Sequence, residues 1–123
     1  MRRVVDIFAA ALGDNHPNVA SASSNLAALL QATNRLAEAE PLMRRALAIE
    51  EATFGNDHPN VAIDLNNLAT LLQATNRLAE AERLLKDAVR IFKNSLGSGH
   101  PRTVRAKGNL QILQDAMRDA ENL

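Results

Sequence analysis

Hydrophobic residues recur at intervals of three and four along residues 17–33. This spacing places them on one broad side of a helix, which we call helix A. The positions on this side are Val19, Ala22, Leu26, Leu29, Leu30 and Thr33. Pro17 fits the first turn, because its backbone angle is preset for a helix. Proline has no amide hydrogen, and an amide hydrogen at this place would have no partner within the helix. The pattern predicts an amphipathic helix whose apolar side is buried.

A second segment with hydrophobic residues at helical intervals starts at Leu36 and continues to Phe54, and we call this segment helix B. Its stripe is wide enough to pack against helix A and against the next helix. The stripe consists of Leu36, Ala39, Leu42, Met43, Ala46, Leu47 and Ile49. Asn34 tolerates the left-handed conformation that ends helices, so it predicts a tight turn between A and B. Gly55 predicts the end of helix B.

The A–B unit is then repeated along the chain. Residues 55–96 align without a gap on residues 13–54, with about 24 of 42 positions identical, and a third partial copy follows. Such units cannot close a core alone and must stack on their neighbours. We therefore predict one all-α domain of six antiparallel helices in the order B-AB-AB-A. Its segments are residues 1–12 (helix B of a truncated repeat), 13–54 (repeat 1), 55–96 (repeat 2) and 97–123 (a C-terminal capping helix).

Alanines recur at matching positions of the two full copies, where small side chains would let helices cross closely. The pairs are Ala27 with Ala69, Ala39 with Ala81 and Ala46 with Ala88. The alternative is that alanine is simply a good helix former, which suits Ala37 and Ala48. Charged residues at helical spacings predict surface ion pairs, namely Arg35 with Glu38, Arg44 with Glu40, Arg77 with Glu80 and Lys86 with Glu82.

Short strings within the repeat resemble a known family. They are His58-Pro59-Asn60-Val61-Ala62, Asn67-Leu68-Ala69 and Arg77-Leu78-Ala79-Glu80-Ala81-Glu82, followed by Gly97 and a second His-Pro pair. Together they are similar to the 42-residue tetratricopeptide repeat of kinesin light chains and many bacterial repeat proteins, over nearly the whole chain. The resemblance implies a right-handed superhelix of paired helices and a non-catalytic scaffold that binds a peptide segment of a partner on its concave face, lined by the A helices.

The third copy of helix A departs from the first two. Ala27 and Ala69 are replaced by Gln111, and Leu30 and Leu72 are replaced by Gln114. Terminal units of a repeat array need a polar outer face to stay soluble. We therefore expect the helix from Pro101 to about residue 122 to cap the array.

The N-terminal end has no such polar face. Residues 1–12 match the second part of a helix B, and one apolar side, formed by Val4, Ile7, Phe8 and Leu12, would be only half covered. Either the chain is the tail of a longer array, or this side mediates self-association. The second alternative makes the protein a structural segment and a homo-oligomer.

Composition limits the classes of function. Fourteen basic and fourteen acidic residues cancel, which argues against nucleic-acid binding. Cysteine, tryptophan and tyrosine are absent, so thiolate chemistry is excluded and the core must be built from leucine and alanine. No stretch reaches the ~18 apolar residues of a membrane span. We expect a cytoplasmic protein, although the lack of cysteine suits reducing and oxidising compartments equally.

His16, His58 and His100 are the only candidates for metal binding or catalysis. They occupy equivalent loops, so helix spacings of ~8–10 Å separate them, too far for a shared ligand shell. The simpler interpretation is that each histidine caps a helix A or packs in its loop, and Asp14 and Asp57 are turn residues. We expect no enzyme activity, no metal and no cofactor.

A candidate peptide site follows from mapping the concave side of the resembling family onto this sequence. Its residues are Ser24, Asn25, Ala28, Gln31, Ile63, Asn66, Asn67, Thr70, Gln73, Arg105, Asn109 and Ile112. An asparagine stands at the same place in all three copies, and an amide can both donate to and accept from a peptide backbone. Alternatively, each asparagine bonds to a neighbouring helix and fixes the packing. We expect a mostly uncharged peptide, bound with a Kd on the order of micromolar because aromatic anchors are lacking.

Overall fold

A computed structural model describes residues 17–121 of the chain, and this part is built from α-helices. They are α1 (Pro17–Ala32), α2 (Leu36–Phe54), α3 (Pro59–Ala74), α4 (Leu78–Leu96) and α5 (Pro101–Glu121). These bounds confirm the predicted A and B helices to within a residue or two. The helix expected over residues 1–12 lies outside the described residues, as do Gly13, Asp14 and His16.

The chain divides into two compact units, residues 1–56 and residues 57–123. In the first unit, α1 packs on α2 through residues spaced at helical intervals. The buried apolar side chains are Val19, Ala20, Leu26, Ala27, Leu30, Ala39, Met43, Ala46 and Ile49. Several of these buried residues are alanines, whose small side chains allow two helices to pack closely.

The sequence-based prediction of a buried side of α1 is wrong at two positions, Leu29 and Thr33. Leu29 is 47% exposed, whereas Leu71, its equivalent in α3, is fully buried. Leu29 lies on the flank of α1 that α2 does not cover. Thr33 is also exposed, and its hydroxyl donates to the carbonyl oxygens of Leu29 and Leu30, which also accept from the backbone amides of Thr33 and Arg35.

In the second unit, α4 contacts both α3 and α5. Arg90, late in α4, forms a 3.1 Å ion pair with Asp57, just before α3, so these two helices run antiparallel. Gln114, late in α5, donates to the carboxylate of Glu82 at the start of α4 over 3.3 Å, so α5 is antiparallel to α4 as well. The core residues are Val61, Ala62, Leu65, Leu68, Ala69, Leu71, Leu72, Ala81, Leu84, Leu85, Ala88, Ile91, Phe92, Thr103, Ala106 and Leu113.

The predicted turn residues have the predicted backbone conformations. Asn34 and Asn76 have positive φ angles of 62° and 64°, and they are the residues that reverse the chain from A to B. Gly55 and Gly97, which follow α2 and α4, have φ angles of 85° and 90°. A left-handed residue at these places stops each helix and lets its final carbonyl groups find partners.

The matched alanines are all buried. Ala27, Ala39, Ala46 and their equivalents in the second copy are at most 1% exposed, while Ala37 and Ala48 lie on the surface. This difference confirms that the repeated alanines serve close packing and that the others are ordinary helix formers. The four predicted ion pairs are also confirmed, at exposed or half-exposed sites where each contributes only a few tenths of a kcal/mol.

Two histidines cap A helices, as expected. The Nδ1 atom of His58 accepts from the backbone N–H of Asn60, and that of His100 accepts from the backbone N–H of Arg102, both at 3.1 Å. Each bond satisfies an amide in the first helical turn that has no partner within the helix.

We expect His100→Ala to lower the free energy of unfolding by about 1 kcal/mol, since it removes a cap. His100→Asn should retain most of the stability, because the amide oxygen can accept the same bond. Urea unfolding followed by circular dichroism measures both variants. Equal stability of the alanine, asparagine and natural proteins would show that this bond contributes nothing.

The outer side of α5 is polar where the earlier A helices are apolar. Gln111 is exposed at the position of the fully buried Ala69, and Gln114 is half-buried at the position of the fully buried Leu72. This exposure fits the polar side that a terminal helix requires. That α5 caps the array stays a prediction.

Candidate functional site

A cleft of about 120 Å³ opens in the second unit between α3 and α5, over the final turns of α4. Three residues come from α3, one from α4 and three from the first turns of α5. The lining consists of Ile63, Asn66, Asn67, Phe92, Arg102, Arg105 and Ala106. Because α4 is antiparallel to its neighbours, its C-terminal end lies beside the N-terminal halves of the two A helices.

The cleft has an apolar floor and a polar rim. Phe92 and Ala106 are 4% and 1% exposed, so they are core residues with one edge facing the cleft. Ile63 is half-buried beside them. The remaining lining residues are amides and guanidinium groups, which can hydrogen-bond to a polar ligand.

Two side-chain amides link α3 and α5, and one of them, Asn66, lines the cleft. The side-chain nitrogen of Asn109 in α5 donates to the side-chain oxygen of Asn66 in α3 over 3.2 Å. Asn109 therefore bonds to a neighbouring helix, the alternative considered for the repeated asparagines. The bond also leaves the Asn66 amino group and the Asn109 oxygen with capacity for a further partner.

Asn67 differs from Asn109, although the two occupy equivalent positions. It is exposed and lines the cleft. Within residues 17–121 its side chain makes no hydrogen bond. Its donors and acceptor are therefore available to a ligand.

The rim of the cleft is positively charged. Arg102 and Arg105 are exposed, and within the described part of the chain neither has an ion-pair partner. The first turn of α5 contains no acidic residue, and neither does the lining of the cleft. The corresponding residues of α3 are the uncharged Asn60 and Ile63.

All twelve predicted site residues are at least partly accessible to solvent. The structure brings Ile63, Asn66, Asn67 and Arg105 together in the cleft, with Asn109 bonded to Asn66. The others stand elsewhere on the A helices: Ser24, Asn25, Ala28 and Gln31 on α1, Thr70 and Gln73 on α3, and Ile112 on α5. The candidate self-association residues Val4, Ile7, Phe8 and Leu12 lie outside the described residues.

Sequence reasoning missed Phe92, Arg102 and Ala106. Phe92 belongs to a B helix, whereas the predicted concave side consists of A helices only. A signal existed in the repeat itself, because Phe92 stands where the first copy has Glu50, and Arg102 stands where the second copy has Asn60. Comparing the chemical class at each aligned position would have marked this end of the unit as different.

Between Pro17 and Glu121, no group of three or more histidine, aspartate or glutamate side chains is placed to hold a metal ion. No helix in the same range combines the length and the apolar character that crossing a bilayer requires.

Comparison with known proteins identifies the type of repeat. The family model for the tetratricopeptide repeat matches three overlapping segments, residues 1–51, 19–94 and 65–122, which together span nearly the whole chain. A search of curated protein sequences found no match.

Several solved structures are similar to this chain. One is a Podosopora anserina protein with nearly identical TPR-like repeats, named as a kinesin light chain, at 29% identity and a TM-score of 0.87 over 98% of this chain. A variant of that protein gives 27% identity and a TM-score of 0.74 over the same share of this chain. BtubC (BKLC) from P. vanneervenii, at 24% identity and a TM-score of 0.77 over 86% of this chain, supports the fold alone. The alignments cover 57%, 62% and 42% of those chains, respectively.

Proposed function

The chain belongs to the tetratricopeptide repeat family, whose repeats generally mediate protein–protein interaction, and from this premise we propose that it binds a peptide segment of a partner protein in the cleft between α3 and α5. The family is generally non-catalytic, which agrees with a role as a binding scaffold. The single observation that supports the proposal is a cleft with an apolar floor and amide side chains, lined by four of the twelve residues proposed from the sequence.

The chemistry of the cleft matches a peptide in extended conformation. Peptide groups offer an N–H donor and a carbonyl acceptor at every residue. The side-chain amide of Asn67 and the amino group of Asn66 supply both kinds of partner within the cleft. Phe92 and Ala106 provide apolar contact below them. Amide groups recognise the backbone of a peptide and not the identity of its side chains.

The strength of binding follows from the size of the site. A cleft of about 120 Å³ holds only a small part of a peptide, and it presents no tryptophan or tyrosine as an anchor. We therefore expect a Kd on the order of micromolar for a short segment. Tighter binding in a longer protein would need further repeats or a second contact.

Replacing Asn67 tests the proposal. Selection of a phage-displayed random peptide library on the whole chain supplies a peptide probe, whose Kd is then measured by fluorescence anisotropy. We expect Asn67→Ala to weaken this Kd by about two- to tenfold, because an exposed hydrogen bond is worth about 0.5–1.5 kcal/mol. Helicity and stability should not change, since Asn67 has no bond within residues 17–121 to lose.

Asn94→Ala is the matched control. Asn94 is an exposed asparagine on α4 that does not line the cleft, so its loss should leave the Kd unchanged. Asn109→Ala is less informative alone, because it also breaks the bond to Asn66. The proposal would be contradicted if the library yields no peptide that binds in the cleft. If the Asn67→Ala variant binds the peptide as tightly as the natural chain does, Asn67 is not part of the site.

A further inference from the structure

We propose that two copies of this chain associate as a dimer through their α5 helices, which run antiparallel and cross at Gly108. The surface is a stripe of three residues, Val104, Gly108 and Ile112, which we call the α5 stripe. None of the three lines the cleft between α3 and α5, and the inference does not rest on the proposed function.

The α5 stripe points away from the core of its own unit. Its residues follow one another at intervals of four, so they occupy one side of the helix. At about 100° per residue, Gly108 lies about 140–160° around the helix from each buried residue of α5. Those buried residues are Thr103, Ala106 and Leu113. Val104 is 55% exposed and Ile112 is 70% exposed, so two large apolar side chains are in contact with water.

This stripe occurs only in the third copy of helix A. At its two outer positions the earlier copies have Ala62 and Thr70 in α3, and Ala20 and Ala28 in α1. At its middle position they have Asn66 and Ser24. The third copy therefore has a larger apolar side chain at both ends of the stripe and the smallest residue between them. Capping does not explain this pattern, because a terminal helix needs polar residues on its outer side. A glycine between two large side chains lets a second helix cross closely and pack against both.

The charges of α5 are separated along its length. Residues 101–107 contain Arg102, Arg105 and Lys107 and no acidic residue. Residues 115–121 contain three acidic residues and Arg118. The helix dipole favours the opposite order, with acidic residues near the N-terminus and basic residues near the C-terminus, so the stability of α5 alone does not explain this separation. An antiparallel second copy does explain it, because the basic half of each helix then lies beside the acidic half of the other.

A crossing at Gly108 determines which residues meet. Val104 and Ile112 are each four residues from the crossing, so Val104 of one copy lies opposite Ile112 of the second copy. Side chains on a helix lean toward its N-terminus, and Arg105 therefore reaches the level of Asp115 in the second copy. Each of these contacts occurs twice, because the two copies are related by a two-fold axis.

Asp115 can accept a bond from the second copy in addition to its present bonds. Within its own helix it accepts from the Gln111 amide over 2.9 Å and forms an ion pair with Arg118. Both side chains of that ion pair are largely exposed, where such a pair contributes little. The two oxygens of a carboxylate offer about four acceptor sites, so a guanidinium group from the second copy finds free ones.

The size of the contact makes the dimer weak. Two helices in contact over about 20 Å bury less than the roughly 1,200 Å² of a stable specific interface. We expect a Kd of about 0.1–1 mM, so the chain is largely monomeric at about 10 µM. Dimers form where the chain is locally concentrated.

Charge reversal tests the antiparallel arrangement. Sedimentation equilibrium of the whole chain, from about 10 µM to about 2 mM in about 0.1 M salt, measures the Kd. Arg105→Asp and Asp115→Arg should each raise the Kd about tenfold, because each places like charges opposite one another. The chain that carries both reversals should return to within about threefold of the natural Kd, since the pair is restored with its signs exchanged. Circular dichroism should show unchanged helicity, because neither reversal opposes the helix dipole.

Substitutions in the α5 stripe test the apolar contact and the crossing point. Ile112→Ser should raise the Kd at least about fivefold, because it removes apolar area that the dimer buries. Leu29→Ser is the matched control, since Leu29 is an exposed side chain of the same composition on α1, and it should leave the Kd unchanged. Gly108→Leu adds apolar surface, but it should also raise the Kd, because a side chain at the crossing keeps the helices apart.

Each outcome supports the inference or overturns it. A Kd that rises with the single reversals and returns with the double reversal supports it. The absence of any dimer at about 2 mM overturns it. A dimer that is unchanged by the α5 substitutions uses another surface, such as residues 1–12, and also overturns it. Gly108→Leu binding more tightly would overturn the crossing at Gly108, and oligomers that grow beyond the dimer would exclude a two-fold pair. None of these results depends on peptide binding in the cleft.

Discussion

Leu68→Ala is expected to lower the free energy of unfolding by about 2–5 kcal/mol, the largest effect of any single substitution considered for this protein. Leu68 lies in the middle of α3 and is fully buried. Truncation therefore removes buried hydrocarbon and leaves a cavity that the surrounding side chains fill only in part. A small domain is stable by only about 5–15 kcal/mol, so this single change takes a large share of the total.

Ile112→Ala is the control for this prediction. Leucine and isoleucine lose the same number of carbon atoms on replacement by alanine, but Ile112 is 70% exposed on α5 of the same unit. We expect its effect to stay within about 0.5 kcal/mol, as for surface substitutions in general. Urea unfolding monitored by far-ultraviolet circular dichroism measures both variants. Similar losses from the two substitutions would contradict the assignment of Leu68 to the core.

The features that sequence reasoning predicted correctly are those determined within one repeat. Helix boundaries follow from local signals such as Pro59 in the first turn, Asn76 in the reversal and Gly97 after the last turn. Because the 42-residue unit occurs twice, each helix boundary is predicted from two copies of the sequence. A wrong boundary in one copy would disagree with the boundary in the other. The assignment to tetratricopeptide repeats of the kinesin light chain-like type is confirmed on these grounds.

The features that sequence reasoning missed depend on more than one helix. Periodicity places Leu29 on an apolar stripe, but whether a stripe is covered depends on the neighbouring helix, and the exposed side chain of Leu29 shows the limit of that inference. The cleft forms where the end of α4 lies beside the first halves of α3 and α5, so three helices contribute to it together. No local signal brings Phe92 of α4 into one cleft with Arg102 of α5, so the full lining of the site could not be predicted from either helix alone.

The repeated asparagines illustrate how equivalent positions acquire different roles. Asn67 and Asn109 align in the sequence, yet Asn109 bonds across to Asn66 while Asn67 faces the cleft. The acceptor of Asn109 is Asn66, 43 residues earlier, whereas the residue 43 positions before Asn67 is Ser24, whose side chain is shorter than that of asparagine. Repetition therefore fixes where a side chain stands, and the neighbouring copy decides what it bonds to.

Two glycine substitutions in the second unit should have opposite effects on stability, although both add one methyl group. Gly97 has φ 90° and ψ 158°, a combination that is essentially restricted to glycine, and an added Cβ atom would meet no other atom within 4 Å. Gly97→Ala should therefore cost about 1–3 kcal/mol through backbone strain alone.

Gly108 lies within α5, where an added Cβ atom also meets nothing within 4 Å. Alanine there should stabilise the protein by about 0.5–1 kcal/mol, because it reduces the freedom of the unfolded chain and favours the helix. Thermal and urea unfolding of the two variants measure the difference, which we expect to total about 1.5–4 kcal/mol. Since neither site is crowded, the sign of each effect depends on backbone conformation. If Gly97→Ala were as stable as the natural chain, the turn between α4 and α5 would not require a left-handed residue, and the antiparallel return of α5 along α4 would have to be held by side-chain packing alone.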